Sequence, residues 1–213
     1  MQVCGREQNL QGLSAEALIS SGDALNLLRQ SFERFVPLPD DVWAEVSRPW
    51  RLCPVRKGDV LTRAGEVERT FSLVLDGVHR GYFSTPEGGE VTVAFAYPPS
   101  YSGVPDSFFL REPSAYTLEA LTDGLTLSAD HAALSALMAR HRELDQWAWR
   151  LLAAALAGRA KRERELLSLS AEERYDRLVQ ESPHVLNLVP LRHVASYLGM
   201  SPETLSRVRS GRS

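Results

Sequence analysis

The sequence predicts an α+β protein: a barrel or sandwich of short strands, then a long helix, then a C-terminal helix-turn-helix. Three observations carry this. Between Trp50 and Leu127, Gly and Pro recur and separate short β-rich runs. A break about every ten residues points to a β-sandwich or barrel and away from a doubly wound sheet. From Arg142 to Leu167 the chain has no Pro and a single Gly. From Leu191 to Arg209, small, apolar and Gly positions fall where two short helices joined by a tight turn need them.

Composition sets the bounds. The 213 residues suffice for one large domain or two small ones, and 44% hydrophobic with 24% charged is an ordinary globular balance. Such a chain buries a core without staples. A net charge of −3 excludes a uniformly basic nucleic-acid coat. The charge is uneven, however: residues 1–158 carry a net −6 and residues 159–213 a net +3. A basic C-terminal end is a weak pointer to a polyanion. Cys4 and Cys53 are too few for a disulfide scaffold, a four-thiolate zinc site or an all-cysteine iron–sulfur cluster. No apolar run approaches the roughly 18 residues needed to span a bilayer. No secretory h-region opens the chain, so a cytoplasmic location without membrane contact is expected.

Each element has a local reason. Residues 1–22 read as a polar lead-in. Leu25, Leu28, Phe32 and Phe35 are at helical spacing, so a helix over Asp23 to Phe35 with Asp23 as cap is expected. Pro37 and Pro39 interrupt it, and Asp40 to Ser47 reads as a second short helix. Strands are expected at 50–52, 59–62, 70–75, 78–83, 90–96, 116–120 and 125–127, broken by Lys57-Gly58-Asp59, Ala64-Gly65-Glu66, Asp76-Gly77 and Pro86-Glu87-Gly88-Gly89. Asp130 to Met138 is a short helix. The long helix follows, with an apolar stripe of Leu144, Trp147, Ala148, Leu151, Leu152, Ala155 and Leu156. At 1.5 Å per residue it is roughly 40 Å long. That exceeds what a small β domain covers, so Leu144, Trp147, Leu151 and Ala155 are expected to meet a second protomer in a homodimer. Ser170 and Glu173 have the spacing of a capping box, opening a helix through Val179 that Ser182-Pro183 closes.

The final stretch carries the chemistry. Counting from Leu191, Ala195 is fifth and small where two helices touch. Gly199 is ninth and permits the positive φ of a tight turn. Val194, Leu198, Met200, Leu205 and Val208 fall inward, Ser201 can cap the second helix, and Pro202 suits its first turn. Glu203, Thr204, Ser206, Arg207 and Arg209 are left outward. This fills the helix-turn-helix template and points to double-stranded DNA. Arg207 can reach guanine O6 and N7, Glu203 can accept from cytosine N4, and Ser206 can meet a base edge or a phosphate. Arg192, Thr204 and Arg209 are placed for phosphates. Glu203 also suits the positive end of its helix. A competing reading is a ligand-binding signalling module acting through protein–protein contacts. An enzyme is disfavoured: the β region has one histidine, His79, and no nucleophile elbow or phosphate loop.

From Asp23 to Arg209 the order of parts resembles the Crp/Fnr family of bacterial transcription regulators. Lys57-Gly58-Asp59, Gly65-Glu66 and Phe71 to Val78 are similar to that family's early roll strands, and Glu203-Thr204-Leu205-Ser206-Arg207 resembles the recognition helix of its Fnr-like branch. The resemblance implies a cyclic-nucleotide-binding-type β-roll (a double-stranded β-helix or jelly roll) over 23–140. It implies a dimerisation helix over 141–168 and a DNA-binding helix-turn-helix over 169–213. It also implies a palindromic site with TTGA-like half-sites and RNA polymerase as a further partner. Three departures are visible. Cyclic-nucleotide binders have Gly-Glu and, about ten residues on, an Arg that pairs with the phosphate. Here Ser102-Gly103 and Pro113 stand at those places, with Arg111 two residues off on the other side of an extended chain. Tight cyclic-nucleotide binding is therefore not expected. An effector pocket, its ligand unidentified, is placed at Tyr101, Ser102, Gly103, Pro113, Ser114 and Ala115. Tyr97, Tyr101, Phe108 and Phe109 are candidates to fill it instead. The N-terminal cysteine cluster of the family's iron–sulfur sensors is missing, and no metal or cofactor is expected. Finally, the sequence stops soon after the recognition helix, so no C-terminal wing is expected.

Overall fold

Strand parity builds the β-rich part of the molecule. In the computed structural model, which describes residues 20–211, the punctuated region forms β1 (Arg51–Val55), β2 (Val60–Thr62), β3 (Thr70–Asp76), β4 (His79–Ser84), β5 (Glu90–Ala96), β6 (Tyr101–Ser102), β7 (Thr117–Ala120) and β8 (Gly124–Asp130). Two four-stranded sheets result, in the orders β1-β8-β3-β6 and β2-β7-β4-β5. First pairs with last and the pairing nests inward: β1 with β8, β2 with β7 and β3 with β6, all antiparallel. That is the nesting of a jelly roll, a long hairpin wound on itself.

Because side chains alternate along a strand, β3 and β8 serve two environments at once. Phe71, Leu73 and Leu75, with Leu125, Leu127 and Ala129, enter a core shared with helices. The intervening Thr70, Ser72, Thr126 and Ser128 face the inside of the roll. Register keeps like with like: Leu73 lies opposite Leu127 and Ser72 opposite Ser128.

The helical layer of that core is α1 (Ser21–Glu33), α2 (Asp40–Val46), α4 (His131–Arg140) and the first turns of α5 (Arg142–Ser168). Leu28, Phe32, Val46, Leu134, Leu144 and Trp147 are each buried to within about 1% there. Of the polar lead-in expected over 1–22, residues 1–19 lie outside the described residues. Ser20 is the N-cap of α1 and accepts from the Asp23 amide, so the cap is three residues earlier than the sequence suggested. Asp23 sits instead in the first turn, where an acid favours the helix dipole. Between β6 and β7 lies α3 (Pro105–Leu110), a helix that sequence analysis did not anticipate. Pro at its start and Arg111 in the left-handed conformation at its end define it.

By contacts the chain divides into two units. One comprises residues up to Arg80 with Phe95–Leu152, and the other Gly81–Ala94 with Ala153–Ser213. The division falls inside α5. The second unit contains the tip of the β4–β5 hairpin, the rest of α5, α6 (Ala171–Glu181), α7 (Val185–Leu188), α8 (Leu191–Tyr197) and α9 (Pro202–Ser210). The capping box at α6 is formed in both directions: Ser170 Oγ accepts from the Glu173 amide, and Glu173 Oε2 accepts from the Ser170 amide at 2.8 Å. Residues 212–213 lie outside the described residues.

Candidate functional site

In the second unit, α8 and α9 form the expected helix-turn-helix. Gly199 sits at φ +65°, and a Cβ there would lie 3.0 Å from Leu166 Cδ2. The left-handed turn therefore favours glycine, and any Cβ there would also have to displace the Leu166 side-chain tip. The Met200 amide donates to the Ala195 carbonyl at 3.0 Å to close the turn. Val194, Ala195, Leu198, Leu205 and Val208 are buried as expected, while Met200 is only half-buried. His193 joins them. Ser201 caps α9, accepting from the Thr204 amide at 3.2 Å.

This packing leaves Glu203, Ser206, Arg207 and Arg209 exposed and Thr204 half-exposed. Arg207 donates to Thr204 Oγ1 at 3.2 Å, which holds its guanidinium along the helix. A hydrogen bond from Ser201 and one from its own backbone hold the Glu203 carboxyl below its ordinary range. At this stage Glu203 serves the start of its own helix. Arg192, also exposed, lies on the first turn of α8 with Nε 3.2 Å from His193 Nε2. Sequence reasoning missed a polar seam in the same unit. The Thr92 amide donates to Ser196 Oγ at 2.9 Å, and Ser196 Oγ donates to the Glu90 carbonyl. Arg162 donates to the carbonyls of Thr92 and Tyr197 and stacks on the Tyr197 ring at 4.6 Å. No sequence motif marks these pairs, because 104 positions separate Thr92 from Ser196.

The interior of the roll, in the first unit, is small and mixed in character, with Val55, Leu61 and Leu118 beside hydroxyl groups. A cavity of about 30 Å³ is lined by Thr62, Glu68, Thr70, Ser72, Ser102 and Thr126 among others. That is room for a water or two, and far short of a nucleotide or a haem. Glu68 organises one wall. Its carboxylate accepts from Thr62 Oγ1 at 2.5 Å and from the amides of Arg69, Thr70 and Val104. Burial nevertheless pushes its carboxyl above the ordinary range. His79 is buried on β4, its Nδ1 2.8 Å from Ser102 Oγ, and desolvation lowers its pKa to about 4.

The predicted effector residues separate. Ser102 and Gly103 line the cavity. Tyr101 does not: it stacks on Phe71 at 5.2 Å, meets Trp147 edge-on and is 2.6 Å from Ser31 Oγ, all on the helical side of the sheet. Parity explains this, since Tyr101 and Ser102 must face opposite ways. Pro113 pairs with Val67 in an isolated bridge, Ser114 Oγ spends itself on the Tyr116 backbone, and Ala115 is exposed. None of these three lines the cavity. Phe108 packs on Phe71 and His131, so the aromatic residues do not fill the roll; Ser, Thr and aliphatic side chains close it. Arg111 is not on an extended chain. It ends α3, and its guanidinium donates to the Glu68 carbonyl at 2.6 Å.

The expected dimer contacts also need correction. Leu144 is 0% and Trp147 1% exposed within the single chain, so neither has surface left for a partner. Leu151 packs against the same core. Ala155 is half-exposed, and Trp149, Leu156 and Leu167 stand 71%, 70% and 83% exposed along α5.

The sequence of residues 52–141 matches the family model described as cyclic nucleotide-binding domain. No curated protein matches the chain. Among solved structures it is similar to FixK2 from Bradyrhizobium japonicum, with 19% identity, a TM-score of 0.68, and 76% of this chain and 83% of that chain covered. A putative transcriptional regulator of the Crp/Fnr family from Eubacterium rectale aligns at 16% identity and a TM-score of 0.64, covering 82% of this chain and 83% of that one. The chain shares the fold of these proteins. The Thermus thermophilus catabolite activator protein shares it at 23% identity and a TM-score of 0.52, with 82% and 83% covered. The jelly roll, long helix and helix-turn-helix of this shared fold are the three parts expected from the sequence. Among the described residues, no helix is long and apolar enough to cross a membrane.

Proposed function

We propose that this protein is a homodimeric, sequence-specific DNA-binding transcription regulator. We further propose that its roll takes no cyclic nucleotide in the usual way. One observation carries the reading: Glu203, Thr204, Ser206, Arg207 and Arg209 project from α9 while Leu205 and Val208 anchor it from beneath. The Arg207 guanidinium and the Glu203 carboxylate on one short helix suit guanine and cytosine edges in a major groove, with Arg209 placed for a phosphate. Arg192 supplies a phosphate contact beside them. A Glu facing DNA needs a base partner, and a TTGA-like half-site provides a cytosine on the opposite strand.

The homodimer is supported by Trp149, Leu156 and Leu167, which are 7 and 11 residues apart and so share one face of a helix. Their exposure is large for apolar side chains, and a second α5 would cover them. Two recognition helices would then address half-sites about one turn of DNA apart. The water-sized cavity and the Pro at 113 support a roll without a cyclic nucleotide. The protein acts by binding, without catalysis, and RNA polymerase is its further partner.

Selection of duplexes from a random library by the purified protein at physiological salt tests this reading. Enrichment of a palindrome with TTGA-like halves is the expected result. Binding without sequence preference, or none at all, overturns it.

A further inference from the structure

We propose that the pocket between α5, α6 and the end of α8 in the second unit binds a small oxyanion. The pocket has a volume of about 80 Å³ and is lined by Arg162, Arg174, Arg177, Glu165, Glu181 and Tyr197 among others. Three guanidiniums meet two carboxylates there, and the pairing leaves a surplus. Glu181 is held by Lys161, with both oxygens 2.6 Å from Nζ. Glu165 is held by Arg177 at 3.1 Å and by Lys161 at 3.7 Å. Both acids are therefore matched by Arg177 and Lys161. Among the described residues, Arg162 and Arg174 meet no carboxylate at ion-pair distance.

What these two arginines do have is neutral. Arg162 uses one terminal nitrogen on the carbonyls of Thr92 and Tyr197 and lays its plane on the Tyr197 ring. Arg174 uses one on the carbonyls of Leu166 and Leu169 at the end of α5. In both, the Nε–H is shut off from water and has no acceptor. Buried polar donors are nearly always satisfied, so two unsatisfied ones flanking a single pocket are unusual. A guanidinium offers donors in a planar fork that matches the paired oxygens of a phosphate or carboxylate group. A small oxyanion drawn into the pocket would neutralise the surplus charge, and a small shift of either guanidinium would bring its unsatisfied Nε–H to an oxygen. The volume suits a group of that size and excludes a nucleotide. The inference stands apart from the DNA-binding reading and from whatever the roll contains.

Inorganic phosphate is the probe, titrated into the full-length protein at constant ionic strength set with chloride. The readout is the side-chain ¹Hε–¹⁵Nε resonances of the arginines. Saturating shifts at Arg162 and Arg174, with a dissociation constant below about 1 mM, are expected. Glu181→Gln releases Lys161 toward the pocket and should tighten binding severalfold, while Arg174→Gln should abolish it. Because Arg174→Gln also uncaps α5, the Glu181→Gln comparison decides the matter if that variant does not fold. Shifts that stay linear in phosphate, or that are confined to Arg192, Arg207 and Arg209, overturn the proposal. So does an affinity unchanged in Glu181→Gln.

Discussion

Replacing His79 with glutamine should change how the first unit responds to acid. His79 is 1% exposed, bonded through Nδ1 to Ser102 Oγ, and its Nε2 has no partner. Burial penalises the imidazolium and lowers the pKa from 6.5 to about 4. The unfolded chain therefore binds the proton first. The stability of the neutral state is fully present above pH 6.5, is lost as pH falls through the interval, and levels off below about 4. The whole shift corresponds to about 3 kcal/mol at 1.36 kcal/mol per unit. Between pH 7.5 and pH 5.0 the linkage relation gives a loss of about 2 kcal/mol from this group. Burial pushes the Glu68 pKa the other way, so its contribution is stabilising as pH falls and opposes that of His79. His131, also lowered, adds in the same sense as His79. The comparison must therefore be between wild type and His79→Gln. Tryptophan fluorescence during urea unfolding is the assay, since Trp43, Trp50, Trp147 and Trp149 all belong to the first unit. The variant should lose about 2 kcal/mol less than wild type over this range. Parallel losses in the two proteins would refute the claim that a buried neutral imidazole governs this window.

Other expectations follow from the same geometry. Gly199→Val forces a branched side chain into φ +65° and against Leu166. It should cost about 1–2 kcal/mol or more and weaken DNA binding, as read by thermal melts and mobility shift. Arg207→Ala should cost about 1–3 kcal/mol of binding to the selected duplex and relax preference at one base pair. An equal loss on every sequence would make Arg207 a phosphate contact. Leu156→Glu places a charge on the exposed face of α5 and should leave a folded monomer by light scattering, whereas an unchanged mass would remove α5 from the interface. Calorimetry with cyclic AMP and cyclic GMP should detect no binding at micromolar concentrations, and a micromolar dissociation constant would contradict a roll with so small a cavity.

The parts of the fold with strong local grammar were legible. The capping box at Ser170 and Glu173, the turn glycine at 199 and the Pro-led start of α9 each satisfy backbone groups within a few residues. They can be read without the rest of the chain. The short helix α3 was not legible. Six residues between two Pro-containing loops carry no periodicity. β6, with two residues, exists because β3 offers it an edge.

The sequence by itself determined the order of elements, the hairpin of α8 and α9, and which α9 side chains point outward. Those features depend on contacts between near neighbours. Tertiary structure decided which apolar residues of α5 are spent inside the protomer. Leu144 and Trp147 look the same on a helical wheel as residues at a dimer seam, and only the aromatic cluster around Phe32 and Tyr101 claims them. It also decided the fate of the roll. Tyr101 and Ser102 are adjacent in sequence and on opposite faces of one sheet, so a stretch that reads as one pocket is divided between a core and a water-sized cavity. The physical reason is common to both. Burial depends on what arrives from distant positions, and alternation along a strand or a helix fixes a side chain's face without saying what that face will meet.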